Sequence, residues 1–235
     1  MIINIPLGTF GGPLRNGDMI GVANVVEHLR LQDPSISFYL MPDAVSNTEY
    51  CQKFYRFLLD NTDYFSEVSG DKITSWKNIN IWDYRGISGD LVKIKNFKKK
   101  EKKIVIFPLL NAEYNHYRNW PIKLLEELIR KYNSDMYFDY RKVICTEDNI
   151  TVEGWEVSKD FMTNIDHIMT SEIFVGGDTG TSHFVGALFD GPDEIFYYYS
   201  GHGLIHTTPF YALSHGKGSL IQYWKDFEQQ NWNRQ

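Results

Sequence analysis

The chain has only two cysteines among its 235 residues. Cys51 and Cys145 lie far apart and show no metal-ligand spacing, so a reducing, cytoplasmic compartment is expected. The N-terminal Met-Ile-Ile-Asn-Ile-Pro has no basic region ahead of an apolar stretch, so no signal peptide is read there. No apolar run approaches the roughly 18 residues that cross a bilayer, although peripheral contact with a membrane stays compatible. Positive charge is also short: 24 Lys and Arg against 30 Asp and Glu leave a net charge of −6. That gives no global footprint for nucleic acid and leaves only a local patch open. His202, His206 and His215 lack a spacing such as His-Glu-x-x-His, so no metal site is read. No internal repeat is visible. The first glycine-rich loop lacks a clean Gly-x-Gly-x-x-Gly between strand and helix, and no acidic ribose ligand follows it at a suitable place. A dinucleotide-dependent oxidoreductase is therefore disfavoured.

What is present is core material: 43% hydrophobic and 15% aromatic residues, enough to bury one large or two small domains. The most informative stretch runs from Ile173 to Leu188. Ile173, Phe174 and Val175 are an apolar run suited to a buried parallel strand. Gly176, Gly177 and Gly180 permit a sharp turn and close backbone approach. From about Thr181 the period becomes helical, with Phe184 and Leu188 four apart. Strand, glycine turn and helix start together bring free N–H groups and a positive dipole end to one point, a site for phosphate. Asp178, Thr179, Ser182 and His183 add side chains that can hold hydroxyl groups. The plainer reading is a connection in which Asp178 or Thr179 caps a helix.

Earlier in the chain, Ile2 to Ile5 read as a strand and lead into a glycine-rich loop, Gly8 to Asp18. Val22, Val25, Val26 and Leu29 then follow at helical spacing, Asp33-Pro34 stops the helix, and Ile36 to Met41 read as a second strand. Such a βαβ unit is expected to be right-handed, with its ligand at the carboxyl ends of the strands. Asp18, at the helix start, is either a first-turn carboxylate worth about 1 kcal/mol or a general base presented at a cleft. Further on, Tyr50 to Leu59 read as a helix and Ile79 to Tyr84 as a strand. The basic run Lys98 to Lys103 reads as a solvated hinge between two halves, with contact to an anionic acceptor as the other possibility. Ile104 to Phe107 form a buried-type strand, and Trp120-Pro121 opens a helix with Pro at its first position. Arg118 just before it is a phosphate fork or an exposed loop cation. Val143 to Cys145 give a strand, Ser158 caps a helix through Met169, Glu194 to Tyr199 form a strand, and residues 219–234 read as a terminal helix.

Four of these segments resemble, in order, glycosyltransferase family 9, the ADP-heptose:lipopolysaccharide heptosyltransferases and their relatives. Gly17-Asp18-Met19-Ile20-Gly21 with Leu29-Arg30 is similar to that family's N-terminal Gly-Asp loop and helix. Arg118-Asn119-Trp120-Pro121 is similar to its Lys-x-Trp-Pro motif, with Arg replacing Lys. Phe174 to Leu188 resemble its Asp-Thr/Ser-Gly-x-x-His signature, and Glu194 to Ser200 fall where the family has a strand ending in a Gly-Pro-Thr turn. The matches span roughly half the chain.

The resemblance implies an α/β fold of GT-B type, two facing Rossmann-like domains with a cleft between them. The expected segments are an acceptor-side N-terminal domain over 1–97, shorter than is usual in the family, a nucleotide-sugar domain over 98–218, and a helix over 219–235. It implies inverting, metal-independent transfer from a nucleoside diphosphate sugar, which is a co-substrate; no cofactor is expected. Carried over, Asp18 is the base, Arg118 balances diphosphate charge and Asp178 holds sugar hydroxyls. The Thr179 and Gly180 amides with Thr181 bind phosphate, and His183 supports the loop. Residues 42–100 carry no match, so the acceptor is read as a glycan, a protein or a modified DNA base. A non-catalytic nucleotide-sugar-binding module is the other reading.

Overall fold

The computed structural model describes residues 2–4, 14–34, 37–38, 45–65, 76–78, 92–111, 118–177, 179–198 and 218–220, with 2–4, 37–38, 76–78 and 218–220 described by backbone alone. The chain forms two units, one of Met1–Lys95 with Ala187–Phe189 and one of Asn96–Gly186 with Asp190–Gln235. No helix among the described residues is long and apolar enough to cross a membrane.

In the first unit, β1 (Ile2–Asn4) lies between β2 (Ser37–Phe38) and β3 (Trp76–Asn78), all parallel, with Ile2 opposite both Ser37 and Trp76. Parallel neighbours need a crossover, and helices α1 (Asn16–Gln32) and α2 (Glu49–Asn61) supply the two. Helix α1 buries Met19, Ile20, Val22, Ala23, Val25 and Val26, a wider surface than the single stripe its valines predict. Asp33 ends it with an amide that donates to the Leu29 carbonyl at 2.9 Å. Helix α2 buries Cys51, Phe54, Tyr55, Phe57 and Leu58. A second small sheet pairs β4 (Ile94–Lys95) with β9 (Leu188–Phe189). The strand expected over Ile79 to Tyr84 lies outside the described residues, as do Ile5 and most of the first glycine-rich loop.

The second unit is a six-stranded parallel sheet. Its strands are β5 (Glu101–Phe107), β6 (Arg141–Cys145), β7 (Glu156–Ser158), β8 (Ser171–Gly176), β10 (Glu194–Tyr197) and β11 (Gly218–Leu220), in the order β11-β10-β8-β5-β6-β7. This is a Rossmann-like, doubly wound arrangement: the chain works outward from β5 in one direction, then returns to β8 and works outward in the other. Helix α3 (Ile122–Tyr132) connects β5 to β6, α4 (Phe161–Thr170) connects β7 to β8, and α5 (Gly180–Ala187) follows β8. Ile104, Ile106, Ile144, Ile173 and Val175 pack against Leu124, Leu125, Leu128 and Tyr132 of α3. Each of those leucines contributes about 1.5–3 kcal/mol relative to exposure. The alternate residues Val105, Val143, Cys145 and Phe174 are also buried, so the sheet is covered on both faces and reads as continuous apolar runs.

Four expectations are corrected here. Ser158 ends β7, and Asp160 is the α4 cap, its carboxylate accepting the Thr163 amide at 2.8 Å. Both residue types cap well, and pairing with Cys145 draws Ser158 into the sheet. Pro121 is the cap of α3 and not its first residue. Ser219 and Leu220, read as the start of a helix, extend β11 beside Phe196 and Tyr197, because an open edge of the sheet offers them backbone partners; residues 221–235 lie outside the described residues. The basic run is not a free solvated hinge, since β5 begins at Glu101. Lys98 pairs with Asp166 at 3.4 Å, Lys100 with Asp193 and Lys102 with Asp139, both at 2.5 Å. Lys103 is buried, with its ammonium on Glu101 at 2.9 Å and on the Thr170 hydroxyl.

Candidate functional site

In a doubly wound sheet, the crevice opens where the chain reverses direction, outside the carboxyl ends of the two strands that flank the reversal. In the second unit those strands are β5 and β8. Phe107 and Gly176, their last residues, stand opposite each other. The segments leaving them are therefore the walls of the crevice. From β5 come Pro108, Leu109 and Leu110; from β8 come Gly177 and the start of α5.

The two walls are joined by Trp120. Its amide donates to the Leu109 carbonyl at 2.6 Å, and its ring stands edge-on to Tyr198 with centroids 5.8 Å apart. A Cβ on Gly177 would lie 2.5 Å from the indole Nε1. A Cβ on Gly176 would meet the Phe174 ring at 2.5 Å and the Ser182 hydroxyl at 2.9 Å. Neither glycine has a positive φ. They are required for space: the protein's own rings come up against this backbone.

The turn is held from within. The Ser182 hydroxyl and the Thr179 amide both donate to the Gly177 carbonyl, the latter at 2.9 Å. The amides of Ser182 and His183 donate to the Thr179 carbonyl at 3.1 and 3.4 Å. Tyr197, whose phenol burial keeps protonated, donates to the Ser182 carbonyl at 3.3 Å. Of the first amides of α5, those of Gly180 and Thr181 are left as its outward donors among the described residues, at the positive end of the helix dipole. The Thr179 amide, expected to bind phosphate, is instead engaged inside the turn. Thr181 and His183 are both buried. Asp178 lies outside the described residues. Arg118 is half-buried and stands on the segment that carries Trp120 into α3.

No family model, curated protein or solved structure matches the chain. The likeness to glycosyltransferase family 9 therefore stands on the motif residues alone.

Asp18 belongs to the first unit. There the order β2-β1-β3 also reverses at β1, and α1 is the helix that follows β1. Asp18 is in the first turn of α1, half-buried, with its carboxylate accepting the Arg15 amide at 2.9 Å. The first-turn role is thus present, and it ties one carboxylate oxygen. No group of three His, Cys, Asp or Glu gathers as a ligand set among the described residues. Two residues have roles that the sequence did not reveal. Ser182, expected to hold a ligand hydroxyl, is spent on the turn. Trp120 was seen as a helix opener; the available signal was an aromatic residue directly before Pro121 on the Arg118 segment.

Proposed function

We propose that the chain is an inverting glycosyltransferase that moves a sugar from a nucleoside diphosphate donor to an acceptor hydroxyl without a metal. The observation that carries the reading is the turn after β8. It sits at the reversal point of a Rossmann-like sheet, ends in the open amides of Gly180 and Thr181, and has Arg118 on the neighbouring segment. Oriented amides and a guanidinium are what a departing diphosphate needs. In this reading Asp18 removes the acceptor proton, the acceptor oxygen attacks the anomeric carbon, and the bond to the diphosphate breaks on the opposite side. The reading requires a GT-B arrangement, in which the two units face one cleft. Asp178 would hold sugar hydroxyls, Thr181 a phosphate oxygen, and His183 would support the turn. The acceptor is a glycan, a protein or a modified base.

The test is a thermal-shift screen with ADP, UDP, GDP, CDP and their sugars, followed by product analysis with the donor that stabilises. Asp18→Asn is expected to keep nucleotide affinity within twofold and to lose turnover. Normal turnover in that variant removes Asp18 from its role. The capping bond of Asp18 favours one second reading, a nucleotide-sugar-binding module without transfer. Binding with no transfer or donor hydrolysis in the wild type would establish that instead.

A further inference from the structure

Trp120 is 4% exposed, and its indole Nε1 has no hydrogen-bond partner. The Thr179 hydroxyl on the same turn also has none. Buried donors are nearly always paired, and an orphan beside this turn calls for an explanation. The indole nitrogen can only donate, so what it lacks is an acceptor; a cation or a donor group cannot serve. The nitrogen lies against Gly177, 2.5 Å from where a Cβ would stand, and glycine is the residue type that leaves the ring that space. Gly177 leads into the amides of Gly180 and Thr181, which also only donate. Three backbone or ring N–H groups and one hydroxyl thus belong to this turn or lie against it, and the oxygens of a phosphate are acceptors of the right kind.

We propose that Trp120 is a diphosphate-binding residue, its indole N–H donating to a phosphate oxygen held at the turn between β8 and α5. This rests on the reading of that turn as the donor's diphosphate site, and it adds a specific contact that the turn's backbone does not supply. Removing one hydrogen bond to a charged oxygen weakens binding by about 10- to 100-fold.

The probes are inorganic pyrophosphate and the four nucleoside diphosphates, titrated against wild type and Trp120→Phe by calorimetry. A parallel ¹H–¹⁵N spectrum follows the tryptophan indole resonances of the wild type, with Trp120 assigned as the one missing in the variant. The expected result is diphosphate binding by the wild type, a downfield move of the Trp120 indole proton at saturation, and a 10- to 100-fold loss in the variant. Wild-type binding with that resonance unmoved and an affinity within twofold in the variant overturns this inference and leaves the diphosphate site standing. No diphosphate binding by the wild type overturns both. Should Trp120→Phe fail to fold, a Trp120→His variant assigns the resonance, and the movement of the wild-type resonance decides alone.

Discussion

The contact between Gly177 and Trp120 makes a quantitative claim about stability. An alanine at 177 sets its Cβ 2.5 Å from Nε1, 3.4 Å from Cε2 and 3.5 Å from Cδ1 of the indole. Ordinary contacts begin near about 3.5 Å, so the closest pair is short by roughly 1 Å. The ring has little room to retreat, because the Trp120 amide is bonded to Leu109 and the indole packs on Tyr198. Overpacking of this kind costs about 1–3 kcal/mol, and a rigid neighbour puts Gly177→Ala in the upper half of that range. Gly154 supplies the contrast. It has φ +75° and nothing within 4 Å of a Cβ, so Gly154→Ala costs only the left-handed conformation, about 1 kcal/mol. Urea unfolding followed by far-UV circular dichroism measures both. The decisive step is a double-mutant cycle with Trp120→Leu, which removes the ring that the new methyl strikes; in that background Gly177→Ala is expected to cost under about 1 kcal/mol. A Gly177→Ala variant no worse than Gly154→Ala, or equally damaging with and without the indole, would refute the steric argument.

Other outcomes follow from buried titratable groups. Burial holds the His167 imidazole below its ordinary pKa, against a smaller opposing pull from Glu156 at 3.4 Å. The unfolded chain therefore takes up this proton first as pH falls, so stability declines from about pH 7 towards pH 5; His167→Gln is expected to flatten that part of the urea-midpoint profile. Burial pushes the Cys145 thiol far up and Cys51 is fully enclosed, so neither is expected to react with a disulfide reagent in the native state, and both react in urea. Lys103→Met keeps the buried stem and leaves an exposed Glu101 and a Thr170 hydroxyl that still donates to the Asp166 carbonyl, so it is expected to change stability by less than about 1 kcal/mol. The same substitution returns the lowered Glu101 pKa towards its ordinary value, read by carboxyl NMR titration.

How far the sequence could be read depended on whether each feature left a local trace. The stretch from Ile173 to Ala187 was legible because an apolar run, a glycine pair and a change to helical period follow one another, and the strand and helix stand there, although Leu188, read as helical, belongs to β9. Helix α3 was legible for the same reason. The pairing of Ile94–Lys95 with Leu188–Phe189 left no trace, since two-residue strands carry no period. Gly177 left an ambiguous one: a glycine needed for space looks like a glycine needed for a turn, and only the position of Trp120 separates them. The first-turn role of Asp18 was legible and its capping bond is present, whereas a base role leaves no local trace that separates it from capping. The order β11-β10-β8-β5-β6-β7 is set by long-range pairing that no window of sequence contains.

That order also decides which loops must be rigid. The loops after β5 and β6 meet through Asp148, whose carboxylate accepts from the Asn111 amide at 2.7 Å and from the Thr146 hydroxyl at 3.2 Å. The loops after β5 and β8 meet through Trp120. The first link is polar and partly solvated; the second is buried and backs the turn whose amides face outward. The two therefore separate when perturbed singly. Asp148→Ala removes two hydrogen bonds to a charged group, one of them to an exposed partner, and is expected to lower stability by about 1–2 kcal/mol. It should leave pyrophosphate affinity within twofold, because the proposed phosphate donors are the Gly180 and Thr181 amides after β8 together with Arg118 and Trp120 before α3, and none of them is on the β6 loop. Gly177→Ala, which displaces the indole itself, should lose stability and pyrophosphate affinity together. Equal loss of pyrophosphate affinity in the two variants would mean that the β6 loop takes part in the site, and the assignment of the donors to the segments before α3 and after β8 alone would fail.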